Sequence, residues 1–219
     1  MAEPDRLSQL LDIARAIARE PDTARLIERI LLAAKDATQA DGGSVYLVED
    51  AGRRLAFALL VNDTLGIRGG WAAGAPLSIE APPLYEPGGA PNHASVVAHC
   101  VHSRRAVRLE DAYTAQGFDF AGARAFDAAN RYRSRSFLTV PMIGQAGQVI
   151  GVLQLVNARA AGGVPAAFDA ADEAFTEGLA GLAAIVLEKQ RLIERLQSLD
   201  RPAGGATGGG TPSPPAGAA

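Results

Sequence analysis

Residues 136–157 read SFLTVPMIGQAGQVIGVLQLVN, a stretch in which two apolar segments flank a glycine-containing turn. The first segment, 136–141, has the aromatic and β-branched residues that are typical of a strand. The glycines within 144–147 predict a turn. The second segment, 149–156, is a nearly continuous apolar run, which is typical of a strand at the buried centre of a sheet. We therefore expect this part of the chain to form the middle of a sheet.

The residues nearer the N-terminus add two helices and a hairpin. Apolar residues recur at helical spacing over 7–17 and again over 26–34, and Asp22 has the position of an N-cap for the second helix. Strands are predicted at 44–48 and 55–61, with a short turn of Asp, Ala and Gly between them. Two helices that precede an antiparallel hairpin predict an α/β (α+β) architecture.

The long segment from Asn62 to His93 is rich in Gly and Pro, and only Leu77-Ser78-Ile79 alternates like a short strand. A loop of this length inside a domain is usually either a functional lid or disordered, and the sequence leaves both open. Beyond the loop, helical patterns at 94–103 and 123–130 flank a short strand at 107–109.

The last helical pattern opens at Phe168. Its first half, 175–187, is interpreted as packing on the sheet. Its second half continues past the domain body at a heptad spacing, which is typical of helix pairing between chains. The residues of this seam are Leu182, Ile185, Leu192, Leu196 and Leu199. We expect a homodimer that forms through the N- and C-terminal helices.

The domain organisation follows from these patterns. We predict an N-terminal helix at 1–20, one domain at 21–190, a C-terminal helix extension with the coiled-coil seam at 191–200, and a tail at 201–219. The tail is rich in Pro, Gly and Ala with nothing to bury, which predicts disorder. Either the protein signals to a separate output protein through its helices, or the sequence is a piece of a longer protein.

Composition excludes several classes of function. The 219 residues carry a net charge of -3 without a block of like charges, which argues against a nucleic-acid-binding protein. Apolar runs are far shorter than the roughly 20 residues that cross a bilayer, and the N-terminus lacks a secretion signal. Cys100 is the only cysteine, so there is no disulfide framework. We expect a soluble, cytoplasmic protein that binds neither nucleic acid nor membrane.

Four stretches carry a resemblance to a known family: residues 26–47, VRLEDAY at 107–113, YRSRSFLTVP at 132–141 and VIGVLQLVN at 149–157. In this order they resemble the entry helix and first strand, a strand with an acidic-aromatic loop, and the two central strands of GAF domains. The resemblance covers residues 22–190. It implies a central antiparallel sheet with helices packed on one face, a ligand pocket under loops on the other, as in GAF and PAS domains, and a long C-terminal helix.

A polar motif extends the resemblance toward the sensory GAF domains of cyclic-nucleotide phosphodiesterases and some adenylyl cyclases. Those domains carry Asn-Lys, a spacer, Phe, three residues and Asp-Glu, and this chain has Asn157, Phe168, Asp172 and Glu173 in that order. In the family, the lysine is credited with a structural ion pair to the aspartate. Here the lysine position is Ala158, with Arg159 beside it. The resemblance makes a cyclic nucleotide the hypothesis for the ligand.

The resemblance places the ligand pocket between the sheet and the loops at 110–135. Aromatic side chains there are expected to stack on a planar ligand, namely Phe118, Phe120, Phe126 and Tyr132. Polar side chains are expected to bind its edges, namely Asp119, Asn130, Ser134 and Thr139. The amide groups that begin the helix near Ala123 are suited to an anion. The alternative is that the aromatic residues form the core of the loops.

Three arginines alternate at Arg131, Arg133 and Arg135. An extended segment would place all three on one side, where guanidinium groups bind phosphate or carboxylate in a fork geometry. Arg133 is therefore included among the candidate ligand-binding residues. The alternative is that the three arginines form a solvated entry to the strand.

Metal and catalytic sites are not predicted. His93, His99 and His102 have no carboxylate at ligand spacing on the same helix, so we predict no metal. Cys100 is followed by Val101 rather than by the histidine of bilin-binding GAF domains. GAF-type methionine sulfoxide reductases need more than one cysteine. The chain shows no P-loop, no G-x-S-x-G and no H-E-x-x-H, so we predict that it is not an enzyme.

Three functions remain open from the sequence. The favoured one is a non-catalytic sensory or regulatory domain that binds a small ligand and signals through paired helices. The second is a ligand-free dimerisation or adaptor module in signal transduction. The third is an enzyme of unrecognised chemistry. A small molecule retained by the purified protein distinguishes the first function from the second.

Overall fold

The computed structural model describes residues 3–77 and 79–199. The helices are α1 (Glu3–Ala18), α2 (Thr23–Thr38), α3 (Val96–Ser103), α4 (Ala121–Asn130) and α5 (Ala170–Leu199). The strands are β1 (Ala40–Glu49), β2 (Arg54–Asn62), β3 (Ile67–Gly69), β4 (Val107–Leu109), β5 (Phe137–Ile143), β6 (Val149–Arg159) and β7 (Pro165–Ala166). Within the described residues, no helix is both long enough and apolar enough to span a membrane. The tail predicted at 201–219 lies outside the described residues.

The strands form one antiparallel sheet in the order β3-β2-β1-β6-β5-β4, with β7 paired to the end of β6. Strand β6 lies at the centre, between β1 and β5, and its residues 150–155 are all buried. A continuous apolar run is covered on both faces only in the middle of a layered structure. The prediction from residues 136–157 is confirmed, since β5 and β6 pair with Val140 opposite Leu153.

One face of the sheet packs against α2 and α5, and α1 packs on these two helices. The predicted N-cap of α2 is confirmed, because the Asp22 side chain accepts a hydrogen bond from the backbone N–H of Arg25 at 2.8 Å. Leu26 of α2 shares the main hydrophobic core with Leu153 and Leu155 of β6. Side chains alternate between the faces of a strand, so Val152, Gln154 and Val156 of β6 face the opposite side of the sheet.

Helix α5 begins at Ala170, two residues after the predicted start at Phe168. Asp169 and Asp172 form a reciprocal capping box: each carboxylate accepts a hydrogen bond from the other residue's backbone N–H, at 3.0 and 2.8 Å. Arg6 of α1 donates to the Asp172 carboxylate at 3.0 Å. The two terminal helices are therefore joined at this capping box.

The inner face of α5 is apolar and buried, as predicted for residues 175–187, with Phe175, Leu179, Ala183 and Leu187 in the core. Its outer face carries large apolar side chains that are exposed, namely Ile185, Leu192, Ile193 and Leu196. Leu11 of α1 is exposed as well. Of the predicted seam, Leu182 is half-buried, and the side chain of Leu199 lies outside what the structure describes.

The second face of the sheet is covered by α3, α4 and the segment between β3 and α3. The strand predicted at Leu77-Ser78-Ile79 is wrong: Leu77 and Ile79 belong to no strand, and Ser78 lies outside the described residues. Pro76, Pro82 and Pro83 flank this segment, and proline lacks the N–H that a sheet ladder requires. The segment instead crosses the sheet face as a loop.

Candidate functional site

A cavity of about 670 Å³, here called the main cavity, lies on the sheet face opposite α1, α2 and α5. Strands β1, β2, β5 and β6 contribute its floor, and α3, α4 and the loop residues 79–95 contribute to its walls. Pockets of 300–1,000 Å³ are typical for small molecules. The volume and the largely apolar walls fit a ligand of that size.

Aromatic residues line the main cavity on several sides. They are Tyr46, Phe57, Phe120, Phe126, Tyr132 and Phe137. The ring centroids of Tyr46 and Phe57 are 4.5 Å apart, and those of Phe120 and Phe137 are 5.9 Å apart. Rings fixed by such neighbours offer flat apolar surfaces on which a planar ligand can stack.

Gln154 places an amide on the floor of the main cavity. Its Nε2 donates to Thr139 Oγ1 at 3.0 Å, and its Oε1 accepts from the Tyr46 hydroxyl at 3.5 Å. Burial raises the pKa of Tyr46 well above its usual value, so this phenol stays protonated and remains a donor. Ser44 lies on the same strand face as Tyr46 and also lines the cavity. A few polar groups on a largely apolar surface are typical of small-molecule sites.

Two helix N-termini meet the main cavity. Val96 and Val97 at the start of α3, and Gly122 and Ala123 at the start of α4, belong to its lining. Among the described lining residues, two have a charged side chain, and both are acidic: Glu80 and Asp119. The partial positive charges of the helix ends are therefore the cationic element of this lining.

The rim of the main cavity is held by the buried carboxylate of Asp127, on α4. Its Oδ2 accepts from the Ser134 N–H at 2.7 Å and from the Tyr113 hydroxyl at 2.8 Å, and its Oδ1 accepts from the Ser134 hydroxyl at 2.8 Å. The backbone N–H of Tyr132 bonds to the Asp127 carbonyl at 3.0 Å. Ser134 and Tyr132 both line the cavity, so Asp127 fixes the segment that forms its edge.

Tyr132 is fixed at its hydroxyl as well. The hydroxyl donates to Asp41 Oδ2 at 2.6 Å and accepts from Asn157 Nδ2 at 2.8 Å. Burial raises the pKa of Tyr132, and the hydrogen bond to Asp41 raises it further. Asn157 has a positive φ of 59°, and its side chain also bonds to the backbone of Arg133 and Arg135, at 2.8 and 2.6 Å. The segment 132–135 is thus attached to the end of β6.

A family model for the GAF domain matches residues 20–188. The chain belongs to the GAF domain family. This domain is a sensory and regulatory fold that is found in signalling proteins. Comparison with curated proteins finds no match.

Solved structures with this fold include a GAF domain of an Acinetobacter phosphoenolpyruvate-protein phosphotransferase, at 18% identity and a TM-score of 0.60, over 89% of this chain and 99% of that one. A methyl-accepting chemotaxis protein is similar at 18% identity and 0.60, over 83% and 98%. The free methionine-R-sulfoxide reductase of Neisseria meningitidis, in complex with its substrate, is similar at 20% identity and 0.57, over 86% and 91%. These identities establish likeness of fold alone.

Five of the predicted ligand-binding residues line the main cavity of this GAF domain: Asp119, Phe120, Phe126, Tyr132 and Ser134. They come from the turn before α4, from α4 itself and from the segment before β5. The structure therefore brings together the rim residues that the resemblance singled out. Ligand binding by these five residues stays a prediction.

The other four predicted residues lie outside this lining. Phe118 packs between His99 and Phe120, with ring centroids 5.3 and 6.4 Å away. Asn130 is exposed, and its side chain donates to the Phe126 carbonyl near the end of α4. Arg133 is exposed and faces away from the main cavity, and Thr139 is fully buried beneath Gln154. Thr139 therefore acts through Gln154 rather than at the surface of the cavity.

The first two strands contribute cavity residues that were not predicted from the sequence. Ser44, Tyr46, Phe57 and Asn62 line the main cavity. A signal was present, because Ser44 and Tyr46 are two apart in a strand and so share one face. Without the register between β1 and β6, however, nothing indicated which face of that strand carried the pocket.

The polar motif of this GAF domain is paired differently from the family pattern. Arg159 forms an ion pair with Asp41 on β1 rather than with Asp172. Glu173 pairs with Arg108 of β4 at 2.8 Å, and Arg108 also donates to the Phe168 carbonyl at 3.1 Å. Arg108 therefore takes over the connection between the sheet edge and α5, which the family assigns to the missing lysine.

The three histidines lie close together beside the loop. Nδ1 of His93 is 3.2 Å from Nδ1 of His99, and Nε2 of His102 is 2.6 Å from the Leu84 carbonyl. Within residues 3–77 and 79–199, no group of three or more His, Cys, Asp or Glu side chains has a geometry that could hold a metal ion. The histidines instead attach the loop to α3.

Stability is expected to fall as the pH drops below 6.5. Burial lowers the pKa of His99 below its usual 6.5, and the neighbouring charges of His93 and His102 lower it further. The unfolded chain then takes up a proton that the folded chain resists, so stability is full above about pH 7 and declines as the pH falls through 6.5 toward the folded pKa. Urea midpoints at pH 7.5, 6.5 and 5.5 measure this decline. The substitution His99→Gln should flatten it, and an unchanged slope would contradict this origin.

Cys100 is expected to be unreactive in the folded protein. It is fully buried in α3, and burial raises the pKa of its thiol to about 12. Since the thiolate is the reactive form, its fraction at pH 8 should be about a thousandfold smaller than in the unfolded chain. Alkylation by iodoacetamide, followed by mass spectrometry with and without urea, measures this difference. Rapid labelling of the folded protein would show that the thiol is accessible.

Proposed function

We propose that this GAF domain is a non-catalytic sensor that binds a small planar ligand in the main cavity and signals through paired helices. The observation that carries the proposal is the cavity of about 670 Å³ with six aromatic residues around a hydrogen-bonding floor at Ser44 and Gln154. An apolar pocket with a few convergent polar groups is the usual form of a small-molecule site.

The charges around the main cavity narrow the ligand class. Glu80 and Asp119 disfavour a ligand with several negative charges, and the Asp119 carboxylate already accepts the Ala121 N–H at the start of α4. The start of α3 suits one negative charge. The aromatic lining, which includes Phe57 and Phe126, offers stacking surfaces for a flat heteroaromatic ring. A cyclic mononucleotide combines one such ring with a single charge, so it is the first ligand class in the proposal, together with planar molecules of similar size.

Binding measurements test the proposal directly. Native mass spectrometry of the purified protein should reveal a retained small molecule, and isothermal titration with cyclic AMP and cyclic GMP should give heat. A ligand that binds only the folded form also raises the melting temperature. Titrations without heat would remove cyclic mononucleotides from the proposal. The absence of both a retained molecule and any thermal shift in a ligand screen would overturn the sensor function.

A matched pair of phenylalanines tests the site. Phe126→Ala removes a ring from the lining of the main cavity, whereas Phe118→Ala removes a half-buried ring outside it. Loss of one stacking ring costs on the order of 1–2 kcal/mol, so Phe126→Ala should weaken ligand binding about tenfold. Phe118→Ala should leave the affinity within about twofold of that of the unsubstituted protein. Equal effects from the two variants would place the ligand elsewhere.

The non-catalytic part of the proposal is supported by the lone cysteine. The Neisseria protein with a similar fold is a free methionine-R-sulfoxide reductase. A thiol-based reductase forms and then resolves a disulfide, which requires a second thiol. Cys100 is the single cysteine of this chain and is fully buried. We expect no turnover of free methionine sulfoxide in an assay with dithiothreitol as the reductant. A single reduced cysteine also fits action in the cytoplasm.

A second candidate function, a dimerisation or adaptor module without a ligand, is favoured by the outer face of α5. Ile185, Leu192, Ile193 and Leu196 are exposed there, and apolar side chains at helical spacing are typical of a helix pair. In the sensor proposal, the same helix pairing transmits the signal to a separate output protein.

Sedimentation measurements test this pairing. The double substitution Leu192→Glu and Leu196→Glu should convert a dimer into a monomer, because it places charges in the proposed seam. Val164→Glu is the matched control, since Val164 is exposed in the loop before β7. A wild-type monomer at micromolar concentration would contradict pairing by the isolated chain. A dimer that binds no small molecule would favour the adaptor function.

A further inference from the structure

A second cavity, of about 580 Å³, shares Tyr132 with the lining of the main cavity. Its lining includes the guanidinium groups of Arg133, Arg135 and Arg159 and the carboxylates of Asp41 and Asp111. Three cations against two anions leave a net charge of +1 on these side chains. The main cavity has the opposite character, since its charged lining residues are Glu80 and Asp119.

The two carboxylates of the second cavity differ in how fully they are paired. Asp41 is buried, and its oxygens accept hydrogen bonds from the Thr64 N–H and hydroxyl, from Arg159 and from Tyr132. Such a carboxylate is saturated and stays in place when an anion approaches. It also holds Arg159, which donates to the Thr64 hydroxyl at 2.8 Å.

Asp111 is shared between two arginines. One oxygen accepts from the Tyr113 N–H at 2.9 Å. The other lies 3.4 Å from Arg133 and 3.5 Å from Arg135, beyond the 2.7–2.9 Å of a strong charge-assisted hydrogen bond. A single carboxylate oxygen does not neutralise two guanidinium groups or use their N–H donors. The segment 133–135 therefore presents donors and positive charge toward the second cavity.

The arginine side chains are already positioned. The Arg133 guanidinium lies over the Tyr113 ring, 4.3 Å from its centroid, a contact that restricts its orientation. The backbone of both arginines is fixed by the Asn157 side chain. Pro165 and Ala166 form an apolar wall beside them. A preorganised cationic rim next to an apolar wall fits a small organic molecule that carries an oxyanion.

We propose that the second cavity is a binding site for a small organic oxyanion, a phosphate monoester or a carboxylate, held by Arg133 and Arg135 with Arg159 behind them. The oxyanion takes over the N–H donors that Asp111 Oδ2 shares poorly, and the organic part lies against Pro165 and Ala166. This site is separate from the sensor site, and it does not depend on the identity of the ligand there.

Nuclear magnetic resonance of the arginine side chains tests the proposal. The probes are phenyl phosphate, benzoate and inorganic phosphate, each titrated into ¹⁵N-labelled protein, with sodium chloride at the same ionic strength as the control. We expect saturable shifts of the Nε–Hε signals of Arg133 and Arg135. A larger response to phenyl phosphate than to benzoate identifies a phosphate ester as the ligand class, and the reverse identifies a carboxylate. Shifts that sodium chloride reproduces, or no shifts at all, would overturn the proposal.

Single substitutions provide the matched comparison. Arg133→Gln and Arg135→Gln should each reduce the affinity for the better probe at least about fivefold, because each removes one charge and a fork of donors. Arg131→Gln removes the same charge from an exposed residue at the end of α4 that lines neither cavity, and it should leave the affinity within about twofold, as for a distant screened charge. Equal losses in all three variants would indicate general electrostatic attraction and contradict a site.

Discussion

Replacing Asp127 with alanine is expected to lower the free energy of unfolding by about 3 kcal/mol, because it leaves several buried donors without an acceptor. The Asp127 side chain is only 2% exposed. It receives the backbone N–H and the hydroxyl of Ser134 and the hydroxyl of Tyr113. The Ser134 side chain is buried as well, so water does not readily replace the lost acceptor. Urea denaturation followed by circular dichroism measures the change.

Two further variants control this experiment. Asp12→Ala removes an exposed carboxylate of α1 that pairs with Arg15, and exposed pairs of this kind contribute at most about 1 kcal/mol. Asp127→Asn keeps the shape of the side chain but replaces one acceptor oxygen with a donor. Its loss of unfolding free energy should therefore lie between those of Asp127→Ala and Asp12→Ala. A loss for Asp127→Ala as small as that for Asp12→Ala would show that the carboxylate does not hold the rim.

Asp127→Ala should also change the shape of the main cavity. Asp127 sets the position of Ser134 and Tyr132, which both line the cavity. Ligand binding should therefore weaken in Asp127→Ala even at temperatures where the variant remains folded. Unchanged affinity in the folded variant would show that the edge of the cavity is fixed by other contacts.

Replacing Phe168 with alanine is expected to cost about 3–5 kcal/mol, the usual range for deletion of a buried aromatic side chain. Phe168 is only 1% exposed and belongs to the core between the sheet and α5. Its backbone carbonyl also accepts a hydrogen bond from Arg108, so movement of this residue disturbs the link between β4 and α5. Equilibrium unfolding in urea at 25 °C measures the loss.

Graded substitutions separate volume from other causes. Phe168→Leu keeps most of the apolar volume and should cost about 1–1.5 kcal/mol. Val164→Ala, in the exposed loop four residues earlier, should change stability by less than about 0.5 kcal/mol. A cost for Phe168→Leu equal to that for Phe168→Ala would indicate that the ring geometry, rather than the buried volume, is what the core requires.

Local patterns in the sequence were sufficient for most of the fold. The apolar run at 149–156 can be satisfied only at the centre of a sheet, and β6 lies there. Asp22 marks the start of α2 because its carboxylate accepts a hydrogen bond from a free backbone N–H in the first turn of the helix. The predicted start of α5 lies two residues before the observed one, because the reciprocal capping of Asp169 and Asp172 depends on side-chain geometry.

The candidate site could be predicted only in part, because it depends on pairing between distant residues. The rim near Phe126 and Ser134 is contiguous in sequence, whereas Tyr46 and Gln154 meet through the register of β1 against β6. Asp127 carried no sequence signal, because a helical aspartate is usually a solvated charge. The ion pair of Arg159 with Asp41 likewise spans strands that lie far apart in the chain.

Tyr132 forms part of the wall of both cavities. A ligand that moves this ring in one cavity also changes the lining of the other cavity, because the phenol is shared. Such an influence obeys thermodynamic linkage: whatever factor the first occupant applies to the affinity of the second, the second applies to the first. Under the two proposals above, a planar molecule in the main cavity and an oxyanion in the second cavity would each change the affinity for the other through this one aromatic side chain.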